Sequence, residues 1–162
     1  MMSSRSSAAI CGALFTLAVS VTVARSEAVH SSAVVNEASG NAIVGAASTY
    51  NPFRPGWREG GRKTASGERY NPSVWAAAIK TSLRQKFGGV QYGARPTYAL
   101  VEAVGKKVIV KINDVGPLMP GRIIDLNART MRHFDPSMEI GVIHDVKVMP
   151  LLGDYWVPGP VG

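Results

Sequence analysis

Three acids stand out by their neighbours. Glu68 lies in "GGRKTASGERYNP" (60–72), among small polar residues and beside Arg62, Lys63 and Arg69, with no other acid between Glu59 and Glu102. Asp114 closes the run "KKVIVKIND" and precedes Val115-Gly116-Pro117. Asp125 sits inside "RIIDL", two residues ahead of Asn127. Glycoside cleavage uses one carboxyl to protonate the leaving oxygen and often a second to stabilise or activate. Glu68 and Asp114 would form such a pair if the fold brings them together. Each acid also has a plainer reading. Glu68 would be a solvated loop charge, Asp114 an acceptor for turn amides, and Asp125 an acceptor near a helix start.

Other chemistries find little support. The histidines are His30, His133 and His144, with no H-E-x-x-H spacing, and the one cysteine is Cys11. A metal site is therefore not expected. His133, near a helix end, suits the helix dipole, and His144 reads as a surface residue at a strand start. No Gly-rich phosphate loop opens a helix and no G-x-S-x-G occurs, so neither nucleotide binding nor a serine nucleophile is indicated. Tyr50, Trp57, Tyr70 and Trp75 flank the polar segment. Such aromatics either stack on sugar rings or pack within the fold.

The chain that must position these groups has 162 residues, enough for one domain, and 46% of them are apolar. Its net charge of +7 is scattered, with no basic stripe interleaved with aromatics. A carboxylate-bearing wall polymer fits that charge better than nucleic acid does. Arg5 followed by the apolar run 8–24, then "RSEA" at 25–28, reads as a signal peptide over 1–28. Export to the periplasm or the extracellular cell envelope follows. Ile10 precedes Cys11 and the apolar run follows it, so a lipid anchor is not expected. Removing 1–28 also removes Cys11, leaving no disulfide and no thiol nucleophile.

Residues 29–41 are small and polar and read as a linker. The folded domain is expected over 42–152 and a flexible tail over 153–162. Strands are expected at 42–50, 73–80, 96–104, 106–114, 122–126 and 144–151. In 106–114, Val108, Val110 and Ile112 alternate with Lys107, Ile109, Lys111 and Asn113, giving one apolar face. Asn127 is placed to cap a short helix over 128–134, which Asp135-Pro136 ends. Many short strands and one or two short helices point to a mainly β fold, and a small closed barrel would remove its edges.

In order, "GAASTY" (45–50), "GRKTASGERYNP" (61–72), "AAIKT" (77–81), "KVIVKINDVGP" (107–117) and "GRIIDLNART" (121–130) resemble the rare lipoprotein A (RlpA)-like proteins. The resemblance implies a six-stranded double-psi β-barrel, a fold shared with expansins and barwin. It implies lytic transglycosylase activity on the peptide-poor glycan strands of peptidoglycan, with 1,6-anhydro ends and no cofactor. It places catalysis on Glu68 and Asp114. It puts Tyr50, Thr64, Ser66, Lys80, Asn113, Arg122 and Asp125 in the substrate groove. The sequence departs from the family where a histidine is common, at Ile79, and where an arginine is common, at Val115. The stretch 83–97 is longer than the usual turn. Two alternatives stand beside the enzyme: an expansin-like glycan-binding barrel without catalysis, and a protein-interaction barrel of the envelope.

Overall fold

The computed structural model describes residues 42–51, 62–116 and 118–162. The signal segment, the linker and Trp57 lie outside the described residues. The described residues form seven strands: β1 (Ile43–Thr49), β2 (Ala76–Lys80), β3 (Thr97–Ala103), β4 (Lys106–Gly116), β5 (Arg122–Leu126), β6 (Val142–Leu151) and β7 (Gly159–Val161). They pair in the order β2-β5-β1-β6-β3-β4-β7, and β4 also pairs with β2. That last pairing closes the first six into the expected barrel and leaves the Lys107–Ile109 flank of β4 for β7. The pairs β1–β5 and β2–β4 are parallel, and the others are antiparallel.

The alternating apolar residues fill the interior. Ala47, Ala77, Ile79, Val101, Val108, Val110, Ile112, Ile124, Leu126 and Val148 are buried in one cluster. Several of these side chains are small, which suits the narrow interior of a six-stranded closure. The β3–β4 hairpin turns on Val104 and Gly105, both at positive φ (44° and 73°). Two positive-φ residues define the tight turn whose twist matches the strands, at a position that β-branched Val104 rarely occupies.

The helix expected over 128–134 forms as α1 (Ala128–Phe134). Asn127 Oδ1 accepts from the Thr130 amide at 3.2 Å, which satisfies one of the helix's unpaired N–H groups. Its Nδ2 donates to the Asn71 carbonyl at 3.0 Å and to that of Val74, so the cap also ties the helix to the approach to β2.

Two segments differ from expectation. The long stretch after β2 is not simply a turn; it contains a 3-10 helix, Thr81–Phe87, anchored by buried Phe87 and ended by Gly88 at φ 78°. The tail expected to be loose returns as β7, paired with Lys107–Ile109 of β4. Trp156 and Val161 pack there against Leu100, Ile109 and Met149, an apolar cluster outside the main core. That outer cluster gives the tail somewhere to bury its apolar side chains, which its Gly and Pro content hides from a sequence reading. No described helix is long and apolar enough to cross a membrane.

Candidate functional site

The site rests on one irregularity in β4. Ala77 pairs with Ile112, yet its neighbour Ala78 pairs with Asp114, so Asn113 is an extra residue. Ile112 and Val115 both pack on the core. Between them, Asn113 and Asp114 are both turned to the outer face, as a β-bulge allows. Strict alternation from Val108 onwards would have pointed Asp114 inward.

The segment 62–70 folds onto this bulge. A bridge between Lys63 and Arg69 closes it, and the Thr64 amide donates to the Glu68 carbonyl at 2.8 Å. Gly67 turns at φ 89°. The Ser66 amide donates to the Asn113 carbonyl at 3.0 Å, and the Ala65 amide donates to Asp114 Oδ1 at 2.8 Å. Asp114 Oδ1 also accepts from the Val115 amide at 2.9 Å. Thr64 and Ser66, expected to bind substrate, join their hydroxyls at 3.1 Å, and Thr64 Oγ1 also reaches the Glu68 carbonyl. In this structure both hydroxyls therefore brace the loop.

Glu68 is held from the same strand. Asn113 Nδ2 donates to Glu68 Oε2 at 3.1 Å, and Lys111 forms an ion pair with Oε1. Partial burial pushes the Glu68 carboxyl up, but the Lys111 and Asn113 hydrogen bonds and the Lys111 charge outweigh it and leave it below the usual glutamate range. Glu68 is therefore an anion at neutral pH. Lys111 was not among the expected site residues. Its signal was present all the same, because it lies two residues from Asn113 on the polar face of the strand.

Asp114 Oδ2 accepts from the Tyr50 hydroxyl at 3.1 Å. Tyr70 meets Tyr50 edge-on at 5.0 Å and donates to its carbonyl at 3.1 Å. Burial first, then the Asp114 charge and hydrogen bond, raise the Tyr50 pKa far above the ordinary tyrosine value, so its proton stays in place as a donor.

Register carries the polar row further across the barrel. Asp114 pairs with Ala78, Ala78 with Asp125, and Asp125 with Ser48. Ser48 donates to Asp125 Oδ1, and Arg122 Nη1 donates to Ser48 Oγ at 3.3 Å. Burial raises the Asp125 pKa against the opposing effects of Ser48 and Arg122. Between the two aspartates stands only the methyl of Ala78, which is buried, as are Asp125 and Ser48.

Lys80 pairs with Gly116 at the strand ends, on the rim of this row. Trp75 does not join the row. Arg129 lies 4.5 Å from its ring centroid, and His133 meets it edge-on at 5.8 Å. The Trp75 ring braces α1, in line with the packing reading. Ile79 is wholly buried and pairs with Val115 and Ile124. The two departures from the family pattern are thus direct neighbours, both turned to the core. Among the described residues no group of His, Cys, Asp and Glu could hold a metal ion.

A family model described as lytic transglycolase, of double-psi β-barrel type, matches residues 42–148. The endolytic peptidoglycan transglycosylase RlpA of Pasteurella multocida is 41% identical over 109 residues, which is 66% of this chain and 30% of that protein. The protein of the same name from Yersinia pestis is 31% identical over 121 residues, 74% of this chain and 29% of that protein. The chain thus spans less than a third of the length of these relatives. Among solved structures, the Streptomyces papain inhibitor superposes with a TM-score of 0.52 at 17% identity, over 69% of this chain and 96% of that one. That likeness concerns the fold alone.

Proposed function

The chain belongs to the RlpA-like double-psi β-barrel family of lytic transglycosylases, and from that premise we propose that it cleaves the MurNAc–GlcNAc bonds of peptidoglycan glycan strands, leaving 1,6-anhydro ends. The observation that carries this reading is the bulge at Asn113. It turns Asp114 outward on the strand that also holds Glu68, so one loop and one strand end present both carboxyls.

Asp114 is the acid/base in this reading and Glu68 the stabilising anion. The step needs the Asp114 carboxyl in its acid form, which gives its proton to the glycosidic oxygen as the C1–O bond breaks. Glu68, held anionic by Lys111 and Asn113, offsets the positive charge that develops on the sugar. The Asp114 carboxylate then takes the proton of the sugar's own 6-hydroxyl while O6 closes on C1. Asp114 ends the cycle protonated, and no water is consumed. The Tyr50 hydroxyl and the two amides on Oδ1 orient the Asp114 carboxylate for that second proton transfer.

The partner is the glycan strand, with peptide-poor stretches as the preferred substrate, and the working compartment is the periplasm or the extracellular cell envelope after export. Mature protein incubated with purified denuded strands releases anhydro-ended fragments by mass analysis. Products that persist in both Glu68→Gln and Asp114→Asn would refute the assignment of the carboxyls.

A second reading, a glycan-binding barrel without catalysis, draws on Ile79. A wholly buried isoleucine neither donates, accepts nor titrates where the family often has a histidine. Binding to denuded strands with no anhydro product selects this reading.

A further inference from the structure

A second cleft, of about 490 Å³, opens further along the same outer face. Gly45 and Ala46 floor it, and Arg122, Val142, His144 and Asp145 line it. Two register irregularities build it. In β6, Val146 pairs with Gly45 and Ile143 with Ala47, so Ala46 alone faces both His144 and Asp145. Val146 and Ile143 pack in the core, which turns the two residues between them outward, and both are exposed. Asp145 holds φ 56°, a left-handed conformation uncommon for a residue with a side chain. In β5, Arg122 pairs with Ala46 and Ile124 with Ala47, leaving Ile123 as the extra residue. Ile123 and Ile124 both face the core, and Arg122 turns out beside Ala46.

The polar groups therefore stand on two walls over a floor without bulk. Arg122 lies on β5, His144 and Asp145 lie on β6, and β1 runs between them. Two strand spacings put these walls roughly 10 Å apart. Among the described residues, the Arg122 side chain makes one hydrogen bond, to Ser48, and neither His144 nor Asp145 makes a side-chain hydrogen bond or ion pair. A guanidinium has five N–H groups, so most of the Arg122 donors have no protein partner among the described residues, while its charge also acts on the neighbouring Asp125. Val142, on the β6 side, is the register partner of Ser48. The cleft therefore lies beside the buried Ser48–Asp125 pair, at one end of the row that leads to Asp114.

We propose that this cleft is a distal subsite for a muramyl residue of the glycan strand, with Arg122 binding its lactyl carboxylate and the His144–Asp145 wall binding its acetamido group. The inference rests on the glycan-strand reading given above. A fixed planar cation matches a free carboxylate in a way that it cannot match a hydroxyl. An acetamido group offers one N–H and one carbonyl. Asp145 accepts from the first, and the His144 ring N–H donates to the second. A hexosamine without the lactyl group, or a lactyl group amidated by a peptide, gives Arg122 no anion.

The test is calorimetric binding to Asp114→Asn protein, which leaves the cleft intact and stops turnover. Three tetrasaccharides are compared: peptide-free alternating GlcNAc–MurNAc, the same molecule with its lactyl carboxylates amidated, and a chitin tetramer. The free-carboxylate ligand is expected to bind about tenfold tighter than the other two, the scale of a charge-assisted hydrogen bond. Adding Arg122→Gln removes that difference. Adding Val142→Trp, which fills the cleft and keeps the Arg122 guanidinium, removes it too. Adding Asp145→Gly, which suits φ 56°, weakens all three ligands alike. Equal affinities in the Asp114→Asn parent, or a preference that survives both Arg122→Gln and Val142→Trp, overturns the subsite. Wild-type protein that releases anhydro ends without such a preference sinks this inference alone. A cleft-dependent preference without any anhydro product sinks the lyase reading and leaves the subsite standing.

Discussion

The two halves of β4 are built from similar residues and do different work. From Lys106 to Val110 the strand alternates cleanly: Val108 and Val110 face the core, and Ile109 faces the outer cluster beneath β7. From Lys111 to Gly116 the neighbour is β2, and the alternation breaks at Asn113. The first half buries both faces and serves stability. The second half interrupts its ladder and presents polar side chains, which only a locally irregular strand can do on one face. A regular strand supplies a scaffold, and the departure from regularity supplies the site.

This division can be broken from either side. The largest effect is expected in the irregular half. Asp114→Asn should lower anhydro-product formation from denuded strands by at least about 100-fold, the scale of a lost general acid/base, while stability falls by about 1 kcal/mol. The converse substitution is Ile109→Ala in the regular half. It should cost about 2 kcal/mol in chemical denaturation and leave product formation per folded molecule unchanged. A large activity loss at Ile109 would mean that the two halves are not separable.

Smaller changes sharpen the contrast. Tyr50→Phe removes the donor to Asp114 Oδ2 and should cut turnover about tenfold, with stability lowered by about 1 kcal/mol. Glu68→Gln tests the ion pair by its pH dependence. The folded Glu68 pKa lies below the ordinary value, so its contribution to stability is present above the ordinary glutamate range and is lost as pH falls through the folded value. Wild-type protein should therefore exceed Glu68→Gln by less than about 1 kcal/mol at neutral pH. That difference should vanish on acidification. Denaturation curves at a series of pH values measure it. Persistence of the difference at acid pH would show that Glu68 acts by packing and not as an anion.

What could be read along the chain follows from the range of the forces involved. The helix 128–134 and its Asn127 cap were readable because a cap acts over three residues. The strand at 106–114 was readable because burial imprints a period of two. Glu68 and Asp114 drew attention by chemistry and by motif order, not by any visible contact. The Tyr50 hydroxyl on Asp114 spans 64 residues of chain, and the Lys111–Glu68 ion pair spans 43. No periodicity records such distances. The return of β7 was hidden because Gly and Pro in a tail carry no strand pattern, whereas pairing with the open flank of β4 imposes one.

Residue order alone accounts for the strand-rich composition, the capped helix, the apolar interior and which acids could do chemistry. Local propensity and hydrophobic alternation act within a few residues, so they leave a trace in the order of residue types. Barrel closure decided the rest. Pairing β4 with β2 made Asn113 supernumerary and turned Asp114 outward, and pairing β1 with β5 and β6 gathered Arg122, His144 and Asp145 around Ala46. Those outcomes depend on registers between strands distant in sequence. A register is fixed only when all the neighbours of a strand bury their apolar faces at once.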